Sequence, residues 1–166
     1  MISVEHNNQT IMAASAAEII ARGVPEATAG AGLKSHAMAE LVAYANTVRA
    51  KLASGSAGKL AEYRVKEEIA ANPGSAHVDE LALIDREAVA RGTDQAGLLA
   101  IIAAKAAAFR KLALEVGAIE AEGKAAINAV SDLSATLDAD VQAAMVASKG
   151  HLKTTLINAQ ALLAGL

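Results

Sequence analysis

The stretch that decides the fold runs from Asp94 to Val130 and reads DQAGLLAIIAAKAAAFRKLALEVGAIEAEGKAAINAV. Leu98, Ile102, Lys105, Phe109, Leu112, Val116, Ile119, Gly123, Ala126 and Val130 succeed one another in alternating steps of four and three. A helix with that spacing gathers these residues on one side, as in the seam of a coiled coil. A polar residue on such a seam, here Lys105, fixes register at a cost in stability. The stripe runs on through Leu133, Leu137, Val141, Met145, Ser148, Leu152, Thr155, Ala159, Leu162 and Leu166. The extra steps of four between 133 and 145 amount to one stutter, which unwinds a supercoil locally without ending the helix.

Two architectures fit this pattern. In the first, the chain turns at Ser131-Asp132-Leu133-Ser134 and again near Lys149-Gly150, giving an antiparallel bundle. In the second, Asp94 to Leu166 is a single helix of roughly 110 Å. Good capping residues at Ser131, Asp132 and Ser134 and a stop at Gly150 favour the bundle. Glycines at 117 and 123 weaken a long helix by ~1 kcal/mol each relative to Ala.

Upstream, Met1 to Asn8 reads as a short extended arm. Thr10 is a plausible cap for a helix over 11–22, with Gly23 as its stop and Pro25 beyond. A Gly- and Ala-rich loop is expected from Val24 to Gly32, then a helix over 33–52 with the stripe Leu33, Ala37, Leu41, Tyr44, Val48, Leu52. Gly55-Ser56-Ala57-Gly58 reads as a break and 59–71 as a third helix, ended by Asn72-Pro73-Gly74. Ser75 is the expected cap of a helix reaching Arg91 and Gly92, and Thr93 of the one that follows. The expected organisation is an N-terminal helical region, 1–72, and a C-terminal helical, coiled-coil-like one, 75–166, as two parts or as one domain. The expected fold class is all-α: an alanine-rich helical bundle with a long heptad-patterned C-terminal helix or helix pair.

Composition agrees. Alanine supplies about a quarter of the residues, far above ordinary usage. Tyr44, Tyr63 and Phe109 are the only aromatic residues, and there is no Trp. Each buried Ala contributes less than the ~1.5–3 kcal/mol of a large apolar side chain, so close helix approach and added partners matter more than usual. A net charge of −3 with mixed signs argues against nucleic acid, which needs a concentrated basic patch. The absence of cysteine removes disulfides, thiolate catalysis and cysteine-based zinc sites. The polar N-terminus, with Glu5, does not read as a signal peptide. The most apolar stretch, Ala96 to Phe109, falls short of the ~20 residues of a membrane span. Glu18–Arg22, Glu62–Lys66, Glu87–Arg91 and Glu120–Lys124, all with the acid first at i, i+4, read as solvated helix faces.

No chemical constellation emerges. His6, His36, His77 and His151 form no metal-ligand spacing. His77 with Asp79 and Glu80 reads as a helix start. Gly30-Ala31-Gly32-Leu33-Lys34-Ser35 lacks the contiguous Gly-Lys-Ser/Thr of a phosphate loop and reads as a flexible loop entering a helix. Glu67-Glu68 and Asp138/Asp140 read as solvated acids, since adjacent helix positions point about 100° apart. No catalytic residue, cofactor or metal is expected.

Residues 78–130 resemble a helical module found in proteins of tailed bacteriophages and prophages. The shared features are Ile84-Asp85-x-Glu87-Ala88, Ala90-Arg91-Gly92-Thr93, Leu98 and Ala100, and Lys105-Ala106-x-Ala108-Phe109. The resemblance covers about a third of the chain and implies a tail, tail-fibre or accessory protein with no reaction assigned. The resulting expectation is a non-enzymatic structural or connector protein of a phage virion, assembled in the bacterial cytoplasm. It would bind itself or other particle proteins through Leu98, Ile102, Lys105, Phe109, Leu112, Val116, Ile119, Val130, Leu137, Val141 and Leu152. The alternatives are a non-virion assembly chaperone in the cytoplasm and a phasin-like amphipathic coat or ligand-binding bundle.

Overall fold

The computed structural model describes residues 1–53, 57–132 and 135–164. The all-α expectation holds for nearly all of them, with one departure at the N-terminus. There β1 (Ile2–His6) and β2 (Gln9–Ala13) form an antiparallel hairpin, with Ile2 opposite Ala13 and His6 opposite Gln9. Asn7 and Asn8 make the two-residue turn with φ of 49° and 60°, the left-handed geometry that matches the strand twist and that Asn tolerates. Ile2, Val4 and Ala13 are buried while Ser3 and Glu5 face out. Thr10 therefore lies in a strand, and the helix expected over 11–22 shrinks to α1 (Ala16–Ala21). Its cap is Ser15, whose Oγ accepts from the Glu18 amide, while the Glu18 carboxylate accepts from the Ala14 amide. Gly23, at φ 85°, ends it as expected.

The expected loop at 24–32 is a second correction. Helix α2 spans Glu26–Leu52, so both glycines of the Gly30–Ser35 segment are helical. They are tolerated because neighbours need the space. A Cβ at Gly32 would stand 2.4 Å from Val4 Cγ2, and one at Gly30 would stand 2.9 Å from Asp132 Oδ1. The stripe on α2 is nearly as read, with Ala37, Leu41, Val48 and Leu52 buried, but Ala45 takes the buried place expected for Tyr44.

Residues 54–56, where the break before the third helix was expected, lie outside the described residues. Helix α3 spans Ala57–Ala71, which makes Ala57 and Gly58 helical. Asn72-Pro73-Gly74 turns as expected, continuing into a 3-10 turn at Pro73–Ser75. Helix α4 (Val78–Ala90) is capped by His77 instead of Ser75: Nδ1 accepts from the Asp79 amide, and Glu80 accepts from the His77 amide at 2.8 Å. Gly92, at φ 71°, ends it. Helix α5 (Gln95–Ala129) is capped by Asp94 instead of Thr93, its Oδ1 accepting from the Gly97 amide at 2.7 Å.

Helix α6 spans Leu137–Ala164. The chain leaves helical geometry after Ala129, which excludes one helix from Asp94 to Leu166. Lys149 and Gly150 sit inside α6, which excludes the second turn of the bundle reading. The outcome is two long helices joined near Ser131 and Asp132; Leu133 and Ser134 lie outside the described residues.

The chain divides into two compact units that interleave along the sequence. The first comprises Met1–Arg49 and Glu115–Thr155: the hairpin, α1, and the adjoining parts of α2, α5 and α6. Its core includes Ile2, Ile19, Leu41, Val48, Val116, Ile127, Val141 and Leu152. The second comprises Ala50–Leu114 and Leu156–Leu166. Its central cluster is Ile69, Ile84, Ala88 and Leu98, flanked by partly buried Ala76, Leu81, Leu99 and Ile102.

Candidate association surface

In the first unit the heptad stripe is a packed core. Val116, Ile127, Leu137, Val141, Met145 and Leu152 are buried, and Ile119 and Val130 are half-buried. One position departs from the reading: Ala126 is exposed and Ile127 takes its place. Gly123 is buried because a Cβ there would meet Leu41 Cδ2 and Ser148 Oγ, each at 2.6 Å. In α6 the buried stripe continues through Ser148, Thr155 and Ala159; the side chains of Leu162 and Leu166 lie outside the described residues.

Charges knit the first unit together. Lys34 is 8% exposed, pairs with Asp132 at 2.7 Å, and donates to the Asn128 carbonyl. Glu120 accepts from Lys124 at 2.5 Å and from Arg49 at 2.7 Å. The Lys124 hydrogen bond, reinforced by Arg49, holds the Glu120 carboxyl below the usual glutamate range against the opposing effect of burial. Lys149 pairs with Glu40 at 2.6 Å, depressing Glu40, and its ammonium lies 5.9 Å from the Tyr44 ring centre. Thr155 donates to Glu115 at 3.0 Å.

The second unit has its own network. Lys66 bridges Glu62 and Glu87, each at 2.5 Å, and Glu87 also holds Arg91. Burial lowers the Lys66 affinity for its proton, but the two glutamates outweigh it and raise the ammonium above the usual lysine range. The hydrogen bond from Lys66 holds Glu87 low. Two of the acids read as solvated, Glu87 and Glu120, are therefore bridging groups with 25% and 12% of their side chains exposed. Glu18–Arg22 does not form; Arg22 donates to the Met12 carbonyl instead. Glu67, also read as solvated, pairs with Arg110.

Here the seam of α5 is only partly covered. Leu98 and Leu112 are buried, Ile102 and Lys105 half-buried, and Phe109 remains 36% exposed. Val78 is 71% exposed, Leu83 61%, Val89 70% and Leu114 76%. Covering each of these four would return ~1.5–3 kcal/mol of transfer free energy. Sequence reading missed them because they lie off the heptad stripe. Their signal was apolar residues on every face of α4 and α5, an arrangement that belongs to helices covered on more than one side.

Among the described residues no group of three or more His, Asp or Glu side chains is placed to hold a metal ion. His36 lies beside the N-terminal amine, His6 beside Asn7, and His77 caps α4. No described helix is long and apolar enough to cross a membrane. Compared with protein-family models, with curated proteins and with solved structures, the chain has no significant match.

Proposed function

We propose that this chain is a non-enzymatic structural or connector protein of a tailed-phage particle, in its tail or fibre region, acting through helix–helix association. The observation that carries the reading is the exposure of Val78, Leu83, Val89 and Leu114. All four lie within residues 78–130, the stretch that resembles the phage module. Monomeric proteins seldom leave much large apolar surface uncovered, and such surface marks sites of protein association. A stripe of half-covered seam residues, Ile102, Lys105 and Phe109, adds to it. The second unit is the part of the chain that meets other particle proteins, and the first, with its packed core and bridged charges, is the folded anchor.

Mass spectrometry of gradient-purified particles, beside the soluble lysate, tests the proposal. The protein is expected in the particle fraction at a fixed ratio to the other structural proteins. Its presence in the lysate and absence from particles would replace this reading with an assembly chaperone.

A further inference from the structure

Four glycines of the long helices have a neighbour in the space a side chain would take. A Cβ at Gly30, Gly32, Gly97 or Gly123 would lie under 3.0 Å from another side chain. Gly117 of α5 and Gly150 of α6 differ, since a Cβ at either meets nothing within 4 Å. Each loosens its helix without a close approach that requires it. Both lie at one level of the first unit. A Cβ at Gly123 would meet Leu41 of α2 and Ser148 of α6, while Thr155 of α6 donates to Glu115 of α5. In that register Gly117 stands opposite Lys153 and Thr154, and α2 passes the same level at 43–47. There Thr47 Oγ1 donates to the Ala43 carbonyl at 3.0 Å, and Thr154 Oγ1 to the Gly150 carbonyl at 3.1 Å. Ser148 makes the same bond one turn earlier, to Ala144 at 2.9 Å. A hydroxyl bonded back to the carbonyl four residues before it weakens a helix slightly and favours a bend. All three helices are thus weakened just where the first unit ends, at Arg49, Glu115 and Thr155.

We propose that this level is a hinge, at which α2, α5 and α6 bend together as they leave the first unit. Val48, Val116 and Leu152 are buried there, so the helices bend without separating. Side-chain ties keep the bend concerted: Arg49 joins α2 to α5 through Glu120, and Thr155 joins α6 to α5 through Glu115. A hinge confines its motion to a few positions and leaves the segments on either side intact. The inference is independent of the particle role, because the bend belongs to the chain in dilute buffer whether or not a virion exists.

Electron–electron distance measurements on the full chain test it, with helix content checked by circular dichroism. The chain has no cysteine, so spin labels go only where cysteines are introduced. Ser35→Cys on α2 and Ala104→Cys on α5, both at exposed positions, place one label on either side of the level. The parent pair is expected to give a broad distribution of distances. Adding Thr47→Ala, Gly117→Ala, Gly150→Ala and Thr154→Ala is expected to narrow it to about half that width. A control pair within the first unit, Ser35→Cys and Gln142→Cys, is expected to keep its width in both backgrounds. A parent distribution already as narrow as that of the stiffened chain, or a control pair that narrows equally, would overturn the proposal. If the fourfold variant loses helix content, Gly117→Ala/Gly150→Ala alone carries the test, since both side chains enter free space. It is expected to narrow the distribution in part, and an unchanged width would overturn the hinge.

Discussion

Lys34 of α2 meets Asp132, in the turn after α5, at 2.7 Å, and Gly30 one turn earlier on α2 leaves the space that Asp132 fills. The contact is an ion pair without aligned hydrogen bonding: Asp132 Oδ1 is buried and accepts no hydrogen bond among the described residues. Removing Asp132 leaves a buried ammonium with only the Asn128 carbonyl to bond. Asp132→Ala is expected to destabilise the fold by ~1–3 kcal/mol. The double variant Lys34→Met/Asp132→Ala should recover part of that, since an apolar replacement of both partners leaves no unpaired charge. Urea unfolding of the two variants beside wild type checks it.

Glycine-to-alanine changes are expected to have opposite signs along the same two helices. A Cβ at Gly117 of α5 or Gly150 of α6 meets nothing within 4 Å, so Ala there should stabilise by ~0.5–1 kcal/mol. At Gly123 a Cβ would lie 2.6 Å from Leu41 Cδ2 and 2.9 Å from Ser148 Cβ. Overpacking costs ~1–3 kcal/mol and exceeds the gain in helix propensity, so Gly123→Ala should lower stability. Thermal unfolding of the three variants separates the two outcomes.

Phe109 tests how far the α5 seam is covered. Truncating a fully buried Phe costs ~3–5 kcal/mol, and Phe109→Ala should cost clearly less, because the ring is 36% exposed. Leu152→Ala, at a fully buried position of the same stripe, should cost ~2–5 kcal/mol. Equal losses at the two sites would contradict the uneven covering of the seam.

Much of this was legible in the sequence, and the failures share a cause. The α6 stripe from Leu137 to Thr155 is buried position by position, because spacing along one helix is a local property. Both errors about loops came from reading glycine as a breaker. Gly30, Gly32 and Gly150 sit inside helices, and at Gly30 and Gly32 the reason is a neighbour distant in sequence. The first strand falls in the stretch that reads as an extended arm, and the alternation of Ile2 and Val4 with polar residues before Asn7-Asn8 is a hairpin signal; the second strand is short and its apolar residues run into the helical pattern that follows. The second partners of Glu87 and Glu120 could not be read locally, since Lys66 and Arg49 reach them only once helices pair.

Acid should loosen both units. Glu40, Glu87 and Glu120 titrate below the ordinary glutamate value of 4.5, so the folded state favours their ionised form. Their contribution is complete above that value and is lost as pH falls through the lower folded values. Lys66, raised above the ordinary 10.5, contributes fully below it and loses its effect as pH rises through its folded value. The unfolding midpoint should therefore be nearly level from about pH 5 to 10 and fall on either side. Glu120→Gln should reduce the acid-side slope, and an unchanged slope would remove Glu120 from the account.

The central claim is that the second unit meets other proteins of a particle through its exposed helices. Cross-linking mass spectrometry on intact purified particles, with a lysine-reactive reagent, tests it most directly. The account predicts links from Lys105 and Lys111, on the part of α5 within that unit, to a different structural protein of the particle. Recovery of the protein from particles with links confined to Lys124, Lys149 and Lys153 of the first unit would contradict it.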